Sequence, residues 1–310
     1  MPDIDTVVDT AAGPLNAILC TPEGPARGGL VLSDGSGPAD RHAWQGVPQW
    51  LAARGIATLR HDKPGCGGSP GDWRHQTFAD RAAEAIAALA VLRKQAGVER
   101  AGLIGYSQGG WVSLLAAVTV PDHVDFVVTV GGPFVGVEEQ ERTLLGRVMR
   151  RHGLAEESVA AGLAWADERA ARLAAGEDPA QVYADQARFA GDDWAAIVCD
   201  RPYDTPEELG FFARMLPFDP GAALPFLPCP LMAFFGADDE HVPVERSLAV
   251  LGDRLPGRYR GSNGVAVLPG VGHMLYPVPP RADMSVFAQL SPGFLPLLGA
   301  FLDRVAPDHP

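Results

Sequence analysis

Apolar residues along this chain fall into three patterns. Residues 4–20 form two short runs around Ala12-Gly13-Pro14, which predicts two short antiparallel strands at a sheet edge. The later apolar runs are continuous: 28–33, 55–60, 100–105, 126–132, 229–236 and 264–269. Between them lie stretches with helical spacing. Residues 40–54 carry Trp44, Val47, Trp50 and Leu51 on one face, and the two tryptophans there read as core. Residues 77–96 present Ala82, Ile86, Leu89 and Leu92, and residues 111–118 have helical length and composition, ending before Pro121. Helices are also expected over 244–255 and about 291–305. Strands with all-apolar centres, alternating with helices, imply a mostly parallel sheet covered on both faces.

That rhythm breaks at residues 136–220, where no strand is legible. Helices are predicted at 137–151, 158–175, 179–189 and 206–216. Asp178-Pro179 supplies an N-cap followed by proline in the first turn. Thr205-Pro206-Glu207-Glu208 reads as a capping box with the same signature. The expected organisation is therefore a core domain from 1–135 and 221–310, with 136–220 inserted as a helical lid. Its Met149, Trp165, Tyr183, Phe189, Trp194, Phe211, Phe212 and Met215 either line an apolar pocket or hold the helices together.

The residue that carries chemistry sits in Gly105-Tyr106-Ser107-Gln108-Gly109, between an apolar strand and a helix. A serine on a sharp strand-to-helix turn needs small neighbours, and the turn lifts its hydroxyl clear of the sheet. The following helix aims its N-terminus there, so the backbone N–H of Gln108 can meet a developing oxyanion. Such a serine needs a base, and the base needs an orienting carboxylate. His273 lies in a Gly-flanked loop after the last strand, and Asp238, Asp239 and Glu240 follow the strand before it. The only other histidine after those acids is His309, near the C-terminal end of the sequence. The order Ser, acid, His is the one this architecture uses. A second Gly-rich loop, Asp34-Gly35-Ser36-Gly37-Pro38, follows a buried strand and offers further backbone N–H groups.

Together these stretches resemble the α/β-hydrolases, in the bacterial branch akin to dienelactone hydrolases and prolyl-oligopeptidase-like esterases. The matching segments are 32–41, 59–69 (Leu-Arg-His-Asp-Lys-Pro-Gly-Cys-Gly-Gly-Ser), 105–110, 236–243 and 270–273. In that family the acid stands in Gly-x-x-Asp-x-x-Val-Pro, which selects Asp239. The resemblance also implies an oxyanion hole from the N–H groups of Ser36 and Gln108. Asp34 replaces the histidine of the family's His-Gly-x loop, and Asp34, Tyr106 and Met274 are expected to touch substrate. The implied activity is cleavage of a carboxylic ester of a small, partly apolar molecule by Ser107, His273 and Asp239. A thioesterase or acyl-transfer enzyme, or an acyl-eliminating lyase, would use the same residues. A non-catalytic ligand receptor on this fold is the alternative from a different class.

Composition narrows partners more than fold. The net charge of −13 opposes binding to nucleic acid or to an anionic membrane surface. No run approaches 18 apolar residues, and the N-terminal Met1-Pro2-Asp3-Ile4-Asp5 lacks the pattern of a signal peptide. Cys20, Cys66, Cys199 and Cys229 have no metal-like spacing and read as reduced thiols, the usage of a cytoplasmic protein. The glycines of 65–68 do not fit Gly-x-Gly-x-x-Gly, so no dinucleotide site is expected. Neither a cofactor nor a metal is expected, and the expected partner is a small-molecule substrate. Oligomeric state is not readable from the pattern.

Overall fold

The computed structural model describes residues 3–200, 203–259 and 261–307, so His309 lies outside the described residues. The edge hairpin forms as expected around the Gly-Pro break: β1 (Asp3–Thr10) and β2 (Gly13–Cys20) pair antiparallel across Thr10 and Gly13. The continuous apolar runs become β3 (Gly28–Ser33), β4 (Ile56–His61), β5 (Ala101–Tyr106), β6 (Val127–Val130), β7 (Leu231–Gly236) and β8 (Gly264–Leu268). They form one eight-stranded sheet in the order β1-β2-β4-β3-β5-β6-β7-β8. Strand β2 runs antiparallel to both its neighbours and every other pairing is parallel. β5 is therefore a central strand, and all of it except Tyr106 is buried.

Eleven helices surround the sheet among the described residues. In chain order they are α1 (Val47–Ala52), α2 (Phe78–Ala96), α3 (Gln108–Thr119), α4 (Val137–Arg151), α5 (Glu156–Ala174) and α6 (Pro179–Gln186), followed by α7 (Ala195–Val198), α8 (Pro206–Met215), α9 (Pro220–Ala223), α10 (Val244–Arg254) and α11 (Phe294–Val305). The period-two pleat sends Val31 and Leu103 to one face, where they meet Phe78, Leu89 and Trp111. It sends Leu30, Leu32 and Ile104 to the other, against Val47, Leu298 and Phe301. Each fully buried Leu or Phe in these layers contributes about 1.5–3 kcal/mol. The start of α2 is fixed by a reciprocal cap: Thr77 Oγ1 accepts from the N–H of Asp80, and Asp80 Oδ2 accepts from the N–H of Thr77.

One predicted helix is corrected. Residues 40–54 hold only the short α1, because Trp44 (φ 64°) and Gly46 (φ 81°) both take left-handed backbone angles. A helix cannot run through them, so it begins after Gly46 with Pro48 in its first turn. Trp44 still packs against the core beside Val47, but only partly buried and outside the helix expected to carry it.

The segment between β6 and β7 is helical as predicted, with α5 starting two residues earlier than expected and the short α7 unforeseen. Met149, Trp165, Trp194, Phe212 and Met215 are buried in the same apolar cluster that covers α2 and α3. The guanidinium of Arg169 is buried among them, donating to the carbonyl of Val198 at 2.5 Å and lying 3.9 Å over the ring of Tyr203. Helix α4 also grips the loop after β7. Arg147 donates to the carbonyls of Asp239 (3.0 Å) and Val242 (2.9 Å), and Gln140 to that of His241 (3.0 Å). Cys20, Cys66, Cys199 and Cys229 are free thiols, and no described helix is long and apolar enough to cross a membrane.

Candidate active site

Ser107 occupies the turn between β5 and α3 with φ 50° and ψ −121°, a conformation that costs a non-glycine residue of order 1–3 kcal/mol. The surroundings enforce it. The Ser107 N–H donates to the carbonyl of Val130 at 2.8 Å, and its own carbonyl accepts from Gly110 at 2.8 Å. A Cβ on Gly105 would collide with the carbonyl of Gly109, and one on Gly109 with that of Ser33. These are backbone atoms with nowhere to retreat. Gly105→Ala is therefore expected to cost about 3 kcal/mol or more, read as a lower urea midpoint at unchanged m-value.

Asp239 and His273 meet on the loops that follow β7 and β8. Nδ1 of His273 lies 2.8 Å from Oδ2 of Asp239. A carboxylate only accepts, so Nδ1 carries the hydrogen and Nε2 keeps its lone pair. The second oxygen, Oδ1, accepts from the N–H groups of His241 (2.8 Å) and Val242 (3.0 Å), which fixes the carboxylate plane. The Asp239 side chain has no solvent exposure and that of His273 has 12%. Ser107 and His273 both abut the turn after β6: a Cβ on Gly131 would lie 3.1 Å from Nδ1 of His273, and one on Gly132 would lie 3.5 Å from the carbonyl oxygen of Ser107. The ring of Tyr106 is 5.1 Å from that of His273. Among the described residues the imidazole bonds to Asp239 and not to the Ser107 hydroxyl.

Sequence reasoning missed His241. Its ring stacks on that of His273 at 4.7 Å with the planes 22° apart. Burial, then the neighbouring charge of His273, holds its pKa below the usual imidazole value. Asp239, His241 and His273 also form a group that could hold a metal, their ligand atoms all lying within 4.8 Å of one another. The only signal for His241 was its place two residues after Asp239.

The Gly-rich loop after β3 is held from behind by two buried cations. Lys63 Nζ donates to the carbonyl of Gly35 and, at 2.6 Å, to that of Gly37. Arg81 donates to the carbonyl of Asp34 at 2.7 Å and to the side-chain oxygen of Gln108. In a trans peptide the C=O and N–H point opposite ways. Capture of the Gly35 carbonyl by Lys63 therefore turns the Ser36 N–H away from Lys63. The N–H of Gln108, first residue of α3, has no intrahelical acceptor. Gly35 packs against Ser107 closely enough that an added Cβ would sit 3.2 Å from the serine Cβ. Burial lowers the pKa of Lys63 well below its usual value and that of Arg81 to about 10, opposed in both cases by Asp34 and Glu84. Arg81 was legible in principle: it stands three residues after Phe78 and four before Ala85, on the apolar face of α2, where an unpartnered arginine does not belong.

A cavity of about 630 Å³ opens beside these groups. Asp34, Ser36, Tyr106 and Met274, all singled out from the sequence, line it. So do Trp44, which the sequence placed in the core, and Tyr276, Val286, Leu290 and Phe294 from the segment after His273. None of the aromatic or methionine side chains of residues 136–220 reaches it, which decides between the two readings of them in favour of packing. They hold the helices together, except that Tyr183 is 38% exposed and lines a separate cavity of about 380 Å³.

A parallel sheet that collects a strained serine, an imidazole and a carboxylate at its strand C-termini has the architecture of the α/β class of hydrolases. The chain belongs to the Alpha/beta hydrolase family, whose sequence model matches residues 30–288. Solved structures share the fold at low identity. The alpha/beta hydrolase GrgF of Penicillium sp. sh18 is similar at 20% identity and TM-score 0.62, with 99% of this chain and 100% of that one covered. An esterase of Pyrococcus furiosus aligns at 16% identity and TM-score 0.61, covering 98% and 91%. Ferulic acid-bound Est1E of Butyrivibrio proteoclasticus aligns at 16% identity and TM-score 0.57, covering 96% of each chain.

Proposed function

We propose that this protein is a serine hydrolase that cleaves a carboxylic ester of a small, partly apolar molecule. His273 Nε2 takes the Ser107 proton as the hydroxyl attacks the carbonyl, while Asp239 holds the ring and stabilises the imidazolium. The oxyanion is met by the N–H groups of Ser36 and Gln108, and water then cleaves the acyl-enzyme. The observation that carries this reading is the strained backbone of Ser107 beside a buried His–Asp pair whose Nδ1–H is already committed. A Ser–His hydrogen bond that is long without substrate tightens when the reacting complex forms. One fold neighbour is named an esterase, which agrees with ester cleavage. Residues 136–220 act as a cap that does not swing freely, since α4 is bonded to the loop carrying Asp239.

The test is a panel of ester, thioester and amide substrates with the same acyl group. Esters should be turned over fastest; a preference for thioesters, or release of an alkene in place of the alcohol alongside the acid, would redirect the assignment. The buried cations give a separate expectation. Lys63→Met removes the hold on the Gly35 and Gly37 carbonyls, so kcat should fall by about 10²-fold with KM little changed. Steady-state kinetics on one ester reads this, and a rise in KM at constant kcat would show that Lys63 serves binding instead.

A further inference from the structure

The cavity beside Ser107 has an unusual balance of charge. Its wall contains the carboxyl residues Asp34 and Asp40 and the imidazole residue His42, with no lysine or arginine. The remaining wall is largely ring and hydrocarbon, including Trp44, Tyr106 and Phe294. At about 630 Å³ it accommodates a ring-bearing group of drug-like size.

Asp34 is the decisive residue. Lys63 and Arg81 lie behind it, but their donors described above go to the backbone carbonyls of residues 34, 35 and 37 and to Gln108. Among the described residues the Asp34 carboxyl forms no ion pair. Burial pushes its pKa up to about 6, against the pull of Lys63, Arg81 and the indole of Trp44. A carboxyl group in that position gains most from a cation entering from the cavity, which would return it to the ordinary carboxylate range. Aromatic faces favour the same ligand, since a cation over an indole or phenol ring is attracted by about 0.5–2 kcal/mol. An anionic group would meet two carboxyls and no compensating cation in the wall.

We infer that the cavity takes a ring-bearing, protonated-amine portion of the substrate, with the ammonium against Asp34 and the ring against Trp44. This rests on the hydrolase reading only in joining the cavity to Ser107; the binding preference stands by itself.

The test uses the full chain and three matched probes: 2-phenylethylammonium, 2-phenylethanol and phenylacetate, titrated calorimetrically at pH 8. The ammonium should bind at least about 10-fold tighter than the alcohol, a margin within reach of one partly buried charge pair, and phenylacetate weakest. In Asp34→Asn the ammonium-to-alcohol ratio should collapse to about one. Should that variant fail to fold, Trp44→Leu is expected to weaken the ammonium more than the alcohol. Phenylacetate binding as tightly as the ammonium would overturn the inference. So would a ratio unchanged in Asp34→Asn, which would make Asp34 a counter-charge for Lys63 and Arg81 alone. Labelling by a fluorophosphonate separates the two proposals. A selective cavity without an adduct on Ser107 defeats the hydrolase reading, and an adduct without selectivity defeats this one.

Discussion

Ser107→Ala is expected to reduce kcat on an ester substrate by roughly 10⁴–10⁶-fold, leaving a stable, folded protein. The size follows from the division of labour at the site. Without the hydroxyl no acyl-enzyme forms, and what remains is the pull of the Ser36 and Gln108 N–H groups on a bound carbonyl, worth about 10³–10⁴ over water. KM should move little, because the hydroxyl contributes chiefly in the transition state. The fold should survive or gain slightly. Alanine inherits the same φ of 50° and loses no hydrogen bond among the described residues. Urea unfolding of the variant beside the parent separates this outcome from mere misfolding.

The second large effect falls on the acid. Asp239→Asn should lower kcat by about 10⁴-fold, as expected when an orienting carboxylate becomes an amide. The amide offers N–H as well as C=O, and Oδ1 is already committed to the N–H groups of His241 and Val242. The NH₂ group is then left to face Nδ1 of His273. The imidazole must turn its other tautomer outward, and Nε2 becomes a donor instead of a base. Rate should recover partially as pH rises and hydroxide substitutes for the lost base. His241, stacked 4.7 Å from His273, should not rescue the variant, since its ring lies beside the base and is not oriented by the carboxylate side chain. A pH–rate profile of Asp239→Asn measures both points, and a loss under 10-fold would mean that the buried carboxylate serves structure alone.

Much of this arrangement was legible because it is written in local backbone requirements. Gly105 and Gly109 around Ser107 announce a turn that only small neighbours permit. The Gly-Pro break within 4–20 and the continuous apolar runs that follow distinguish an edge hairpin from buried parallel strands. Residues that depend on distant partners were not legible. The position of Trp44 turned on left-handed angles at Trp44 itself and at Gly46, which the i, i+3 spacing cannot reveal.

 The ceiling of the cavity could not be read either, because Tyr276, Val286 and Leu290 come from a segment with no helical or strand period. The insertion's aromatics were ambiguous for a different reason. A buried ring looks the same in sequence whether it faces a ligand or another helix, and here Trp165 and Trp194 face helices. Arg81 stood out only as a cation on the apolar face of α2, and Lys63 was hidden by the assumption that cations lie outside. Their role is visible only once the carbonyls of residues 34, 35 and 37 are seen to point at them.

The central claim is that one hydroxyl on a strained turn is activated by the His273–Asp239 pair. Its most direct test is reaction of the intact protein with a fluorophosphonate, followed by peptide mapping by mass spectrometry. The account predicts a single adduct on Ser107, formed slowly or not at all in His273→Ala. An adduct on another residue, or none while the protein still turns over esters, would contradict it.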